Sequence, residues 1–207
     1  METAKLRKFA QFARRSLIEQ VGAKLKLVLA EESPARREAP SAVADIEKEI
    51  FGVSGKHTDN CKLTAENSLR QERLIERVAY IWFNRFCALR FMDVNRYNRI
   101  GIVSPAEGQF QPEILADAKM GHIDEDMVPE TTRQKIFALL DGKTPSQDPQ
   151  GEAYCLLVVA ACNYWYNAMP FLFERIDDYT ELLMPDDLLS GNSILAYTRE
   201  ALSLIHI

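Results

Sequence analysis

Two pairs of adjacent aspartates, Asp177-Asp178 and Asp186-Asp187, are the side chains best suited to acid–base work or to holding a divalent cation, because neighbouring carboxylates can share a proton or chelate a hard metal. Both pairs also fall where short helices are expected to open, and a solvated helix N-terminus accounts for them without chemistry. His57 and Cys61 stand four apart, a spacing that would bring two soft ligands to one side of a helix. The surrounding composition is that of a loop, and His122 is the one other histidine outside the tail, so no metal site is expected. Cys155 and Cys162, seven apart, share a helical face; with no neighbouring cation to activate either thiol, core packing is the simpler role. Tyr164-Trp165-Tyr166 could stack bases, but at the end of an apolar helix these rings read as core and interface. Lys5, Arg7, Lys8, Arg14 and Arg15 are the candidates for phosphate contact. On a helix, Lys8 and Arg15 share one side and Arg7 and Arg14 another. An ordinary exposed face would carry the same residues.

The elements that would position these groups are helical. Leu6, Phe9, Ala10, Ala13, Leu17 and Val21 recur at spacings of three and four, which predicts a helix over 4–30. Ser33-Pro34 ends it, since the residue before proline disfavours the α region. Residues 31–67 are charged, small or polar and read as a variable linker, with a short helix over 42–51 and a surface loop over 54–60. A long helix follows over about 68–92, capped by Thr64 or Asn67.

The run from Val78 to Asp93 is apolar around almost its whole circumference yet contains Asn84, Arg85 and Arg90. A helix wrapped in apolar residues is buried on several sides, so these three are expected as buried polar groups. Arg85 then needs carboxylate or carbonyl partners, because an unpaired buried charge costs several kcal/mol. Residues 93–112 are broken by Asn, Gly and Pro, with a β-like piece at Ile100, Ile102 and Val103: a connector, or at most a small hairpin. Helices are predicted over 113–119, 130–140 and 153–169, the last deeply buried, then over 176–183, 186–189 and 194–202. The fold class is mainly α, with two buried central helices, irregular connectors and little or no β. It divides into a basic helix (1–30), a linker (31–67) and a helical core (68–207).

Bulk properties exclude some classes. Hydrophobic residues make up 47% and charged residues 27% of the 207-residue chain, which is ordinary for a globular protein rather than a disordered one. No run of 18 uncharged apolar residues predicts a membrane span, and the N-terminus lacks the apolar stretch of a signal peptide. Four cysteines without CxxC pairing suit reduced thiols in the cytoplasm. Residues 1–30 carry a net +5 in a chain of net −5, leaving −10 elsewhere. A basic opening and acidic close can reflect a phosphate-facing and a protein-facing end.

A nucleotide or methyl-donor site is normally announced by a glycine-rich turn after a strand. The chain contains no GxG, and neither Asn-Pro-Pro-Tyr nor Asp-Pro-Pro-Tyr. A complete catalytic centre is therefore not expected within it.

The string from Tyr80 to Asn95, Tyr-Ile-Trp-Phe-Asn-Arg-Phe-Cys-Ala-Leu-Arg-Phe-Met-Asp-Val-Asn, resembles the N-terminal region of the PglX family, the adenine-specific DNA methyltransferases of type 1 BREX phage-defence systems. Further matching runs lie at Phe9–Leu25, Val103–Gly121, Glu152–Asn163 and Met169–Leu195, and the likeness is weakest over 32–70. The resemblance implies an S-adenosylmethionine-dependent transferase that methylates adenine N6 in DNA, with cofactor and catalytic motifs downstream of the region matched. It therefore carries over no catalytic, cofactor-binding or metal residue. DNA, through the full-length enzyme, and other BREX proteins are the implied partners. Residues 203–207 do not continue the family pattern, so a truncated gene or a sequence artefact at that end is an expectation here. A free-standing helical interaction module without a DNA role is the alternative reading.

Overall fold

The computed structural model describes residues 3–52, 65–173 and 179–203. Among these it contains nine helices and no strand: α1 (Thr3–Leu29), α2 (Ala35–Glu38), α3 (Pro40–Phe51), α4 (Ala65–Val94), α5 (Glu113–Lys119), α6 (Glu130–Leu140), α7 (Pro149–Tyr166), α8 (Tyr179–Leu182) and α9 (Ile194–Ala201). The expected 54–60 loop, His57, Cys61, Thr64, Asp177-Asp178 and residues 204–207 lie outside the described residues. Two compact units result. The larger comprises Met1–Ala13, Phe83–Ile176 and Asp186–Ile207; the smaller comprises Arg14–Trp82 and Asp177–Pro185.

In the smaller unit α1 buries Leu17, Val21, Leu25 and Val28, a stripe spaced by four, four and three. Leu74, Val78 and Trp82 of α4 are equally buried. The short helix expected over 42–51 is α3, which starts two residues earlier at Pro40, where the missing N–H costs nothing, and buries Val43, Ile46 and Ile50. Each such side chain contributes about 1.5–3 kcal/mol by leaving water. Arg36 finishes α1 by donating to the carbonyls of Leu29 (2.9 Å) and Ala30 (3.0 Å) while it pairs with Glu47, satisfying acceptors the helix end leaves open. Trp82 Nε1 donates to the Thr180 carbonyl at 3.0 Å. Arg77 pairs with Glu49 at 2.5 Å and lies over the Tyr179 ring, whose hydroxyl donates to the same carboxylate at 2.7 Å. Asn67 sits inside α4 rather than capping it.

The larger unit is built around α7, which is apolar on all sides and packs against α5 and α6. It opens four residues earlier than its apolar run suggests. Asp148 is the N-cap, its Oδ1 accepting the Gly151 N–H at 2.9 Å, and Pro149 holds the first helical position. The α4 residues 85–92 supply Arg85, Phe86, Leu89 and Met92 to this core. Of the three polar residues expected inside, Arg85 is 1% exposed, whereas Asn84 and Arg90 are half-buried. The reason for Arg90 is local: its guanidinium reaches the Ser104 hydroxyl at 2.7 Å at the edge of the connector.

That connector forms no strand. Ile102 and Val103 are fully buried, but their N–H groups donate to the Asp93 carboxylate at 3.0 and 2.9 Å instead of to a neighbouring chain. Buried backbone donors need partners, and one side chain supplies them here. Gly101 is required at the bend, because a Cβ there would lie 2.5 Å from the Ser104 carbonyl oxygen. Residues 186–189 are not helical either. The Asp187 carboxylate accepts the Ser190 N–H and hydroxyl, making a turn that competes with a helix start.

Candidate nucleic-acid interface

Exposure of cations follows from the register of α1. In the larger unit Lys5, Arg7 and Lys8 are exposed, with Phe9 half-buried beside them. In the smaller unit Arg14 and Arg15 are exposed, and Arg14 pairs with Glu76 at 2.9 Å. That pair is open to water on both sides and contributes little to stability.

The larger unit also brings aromatic rings to this end of α1. Phe9 and Phe83 approach to 6.0 Å between ring centroids. Phe12 meets Tyr197 of α9 at 4.4 Å with the rings tilted 59°, yet Phe12 stays 42% and Tyr197 37% exposed. Phe9, Phe12 and Tyr197, with Lys5, Lys8 and Glu200, line a groove of about 610 Å³. Helix α9 holds its wall in place through a capped, amphipathic turn. Ser193 Oγ accepts the Ala196 N–H and donates to the Leu188 carbonyl. Ile194, Leu195 and Thr198 face inward, so Tyr197 and Glu200 face out. Sequence reasoning placed the lysines and missed the Phe12–Tyr197 pair. The available signal was Phe12 itself, an aromatic off the apolar stripe and between cations.

The other candidates take structural places. Cys162 is fully buried and Cys155 half-buried; burial pushes the Cys162 thiol up to about 12, against the pull of Arg85. Cys87 on α4 is likewise pushed up to about 12 by burial. Both thiols are protonated and unreactive at neutral pH. Trp165 donates to Asn98 Oδ1 at 2.9 Å and meets Tyr164 edge-on at 5.4 Å. Asp186-Asp187 sits in the turn already described. Among the described residues no group of three or more His, Cys, Asp or Glu is placed to hold a metal, and no helix is long and apolar enough to cross a membrane.

No protein-family model matches the chain. It is similar to the adenine-specific methyltransferase BrxX of Escherichia coli O9:H4 (strain HS), with 39% identity over 127 residues, 60% of this chain and 10% of the relative. It is also similar to the adenine-specific methyltransferase PglX of Lacticaseibacillus casei (strain Zhang), with 31% identity over 211 aligned positions, 92% of this chain and 17% of the relative. The chain thus spans less than a fifth of either relative's length.

Proposed function

From the likeness of this chain to the adenine-specific methyltransferases of BREX systems, we propose that it is the helical N-terminal segment of such an enzyme, acting in the cytoplasm on adenine N6 of DNA in phage defence. The observation that carries the reading is a similarity that runs over 92% of this chain while covering 17% of the relative. The segment's own part is to contact DNA phosphates through Lys5, Arg7, Lys8, Arg14 and Arg15, and to brace the catalytic portion. Other BREX proteins are the partners this reading suggests.

Methyl transfer uses S-adenosylmethionine, and the described residues do not fit that group. A strand leading through glycine into a helix N-terminus would cradle it. Here Gly52, Gly121 and Gly142, all with positive φ, follow the C-terminal ends of α3, α5 and α6, where carbonyls rather than N–H groups are presented. Cofactor binding and catalysis are assigned to the rest of the enzyme.

The test is binding of the 207-residue chain to a labelled DNA duplex across a salt series, read by fluorescence anisotropy. Backbone contact predicts a steep loss with salt, and Lys8→Gln and Arg15→Gln should each lower the slope by about one. Binding that is absent, or indifferent to salt and to both substitutions, would overturn the DNA role. The free-standing interaction module would then lead, a reading favoured by Phe110 and Phe171, which are 94% and 84% exposed.

A further inference from the structure

We propose that the groove between the start of α1 and α9 holds an unstacked nucleotide of single-stranded DNA, its base against Phe12 and Tyr197 and its phosphate at Lys8 and Lys5. The inference rests on the DNA-contacting reading above and makes it more specific. Duplex DNA offers phosphates but keeps its bases stacked, so contact with a duplex backbone gives no use to aromatic walls. A single strand offers both, and every base has a π-face that stacks without regard to sequence.

The geometry suits that occupant. Lys8 and Phe12 are one helical turn apart on the same side of α1, and Lys5 stands three residues before Lys8. Phe12 and Tyr197 are held at 4.4 Å yet each residue stays more than a third exposed. At about 610 Å³ the space lies within the range of small-ligand sites. Charge fixes the direction of entry. Lys8 is exposed on α1, while Glu200 is exposed on α9 and repels phosphate, so the backbone runs along the α1 side and the base points toward the rings.

The experiment compares fluorescein-labelled dT12 with a labelled 12-base-pair duplex, by anisotropy at one low salt concentration, using the 207-residue chain. The proposal expects Phe12→Leu and Tyr197→Leu each to weaken dT12 about tenfold with duplex affinity unchanged, while Lys8→Gln weakens both. Either aromatic variant suffices, provided its melting temperature matches wild type, as the exposure of both rings favours. If dT12 affinity is unchanged in the folded aromatic variants while Lys8→Gln still weakens both DNAs, the groove assignment is overturned and the backbone reading stands. If neither DNA binds, both fall. If an acidic peptide displaces nothing from the groove, that supports a nucleotide occupant; a peptide that binds there in preference to dT12 overturns it in favour of a protein partner.

Discussion

Asp93 Oδ2 accepts both the backbone N–H and the hydroxyl of Ser104, at 3.0 and 2.7 Å. The same carboxylate takes the N–H groups of Ile102 and Val103 and the Asn98 amide, so one side chain closes the whole turn after α4. Burial raises the Asp93 carboxyl above its ordinary range, and these donors pull it part of the way back.

Asp93→Asn keeps the size but removes the charge and turns an NH₂ toward converging donors. Charge-assisted hydrogen bonds contribute about 1.5–3 kcal/mol each, and stranded buried donors add a penalty. The variant should lose about 2–4 kcal/mol of unfolding free energy in a urea titration. A loss under 0.5 kcal/mol would mean that burial of Ile102 and Val103 alone fixes the connector.

Arg85 poses a different question, because its cost lies in solvation. At 1% exposure it holds a guanidinium in the core of the larger unit. Removing one member of a buried charged arrangement typically costs about 3–5 kcal/mol, whereas an apolar replacement of similar volume can be nearly neutral. Arg85→Ala should therefore lower the melting temperature strongly and Arg85→Met much less. Equal melting of wild type and Arg85→Ala would refute the expectation that the buried Arg85 is held by partners in the core.

How much of this was legible in the sequence depends on the range of the interaction. The apolar repeats of α1, α5, α6 and α7 show through because helix periodicity is local. The short helix expected over 42–51 is present as α3, but its three buried residues sit among alanines and glutamates and are stabilised by tertiary packing rather than propensity, so their burial does not show in the sequence. The piece at Ile100, Ile102 and Val103 is a connector rather than a hairpin: β-branched residues report burial on an extended surface as much as strand pairing, and Asp93, nine to eleven residues earlier, takes the N–H groups of Ile102, Val103 and Ser104. Asp186-Asp187 looked like the first turn of a helix until Ser190 supplied a nearer partner. The lysines of the candidate interface are visible as a charge run, but the Phe12–Tyr197 pair joins residues far apart in the chain, and no spacing rule reaches that far.

The N-cap of α7 makes a local prediction. A Cβ on Gly151 would lie 2.1 Å from Asp148 Oδ2, so Gly151→Ala cannot be accommodated without breaking the cap. Alanine's higher helix propensity favours the variant by up to about 1 kcal/mol, and losing an aspartate cap costs about as much or more. Gly151→Ala should thus be net destabilising in the wild-type background and stabilising when combined with Asp148→Ala. A double-mutant cycle reads the sign directly, and additive effects would show that the cap contributes nothing.

The Cys162 thiol makes stability depend on alkaline pH with a definite sign. Burial raises it from its ordinary value of 9.0 to about 12, so the unfolded chain gives up this proton before the folded one does. Between those values the unfolded state binds fewer protons, and stability falls as pH rises. The contribution is fully present below pH 9 and is lost progressively toward 12, by about 1.4 kcal/mol per pH unit within that window. Other groups titrate there too, so the informative quantity is wild type minus Cys162→Ala, which cannot ionise at this position. That difference in unfolding free energy should shift by about 1 kcal/mol against wild type between pH 8 and pH 10. A difference independent of pH would mean that water reaches the sulfur in the folded core.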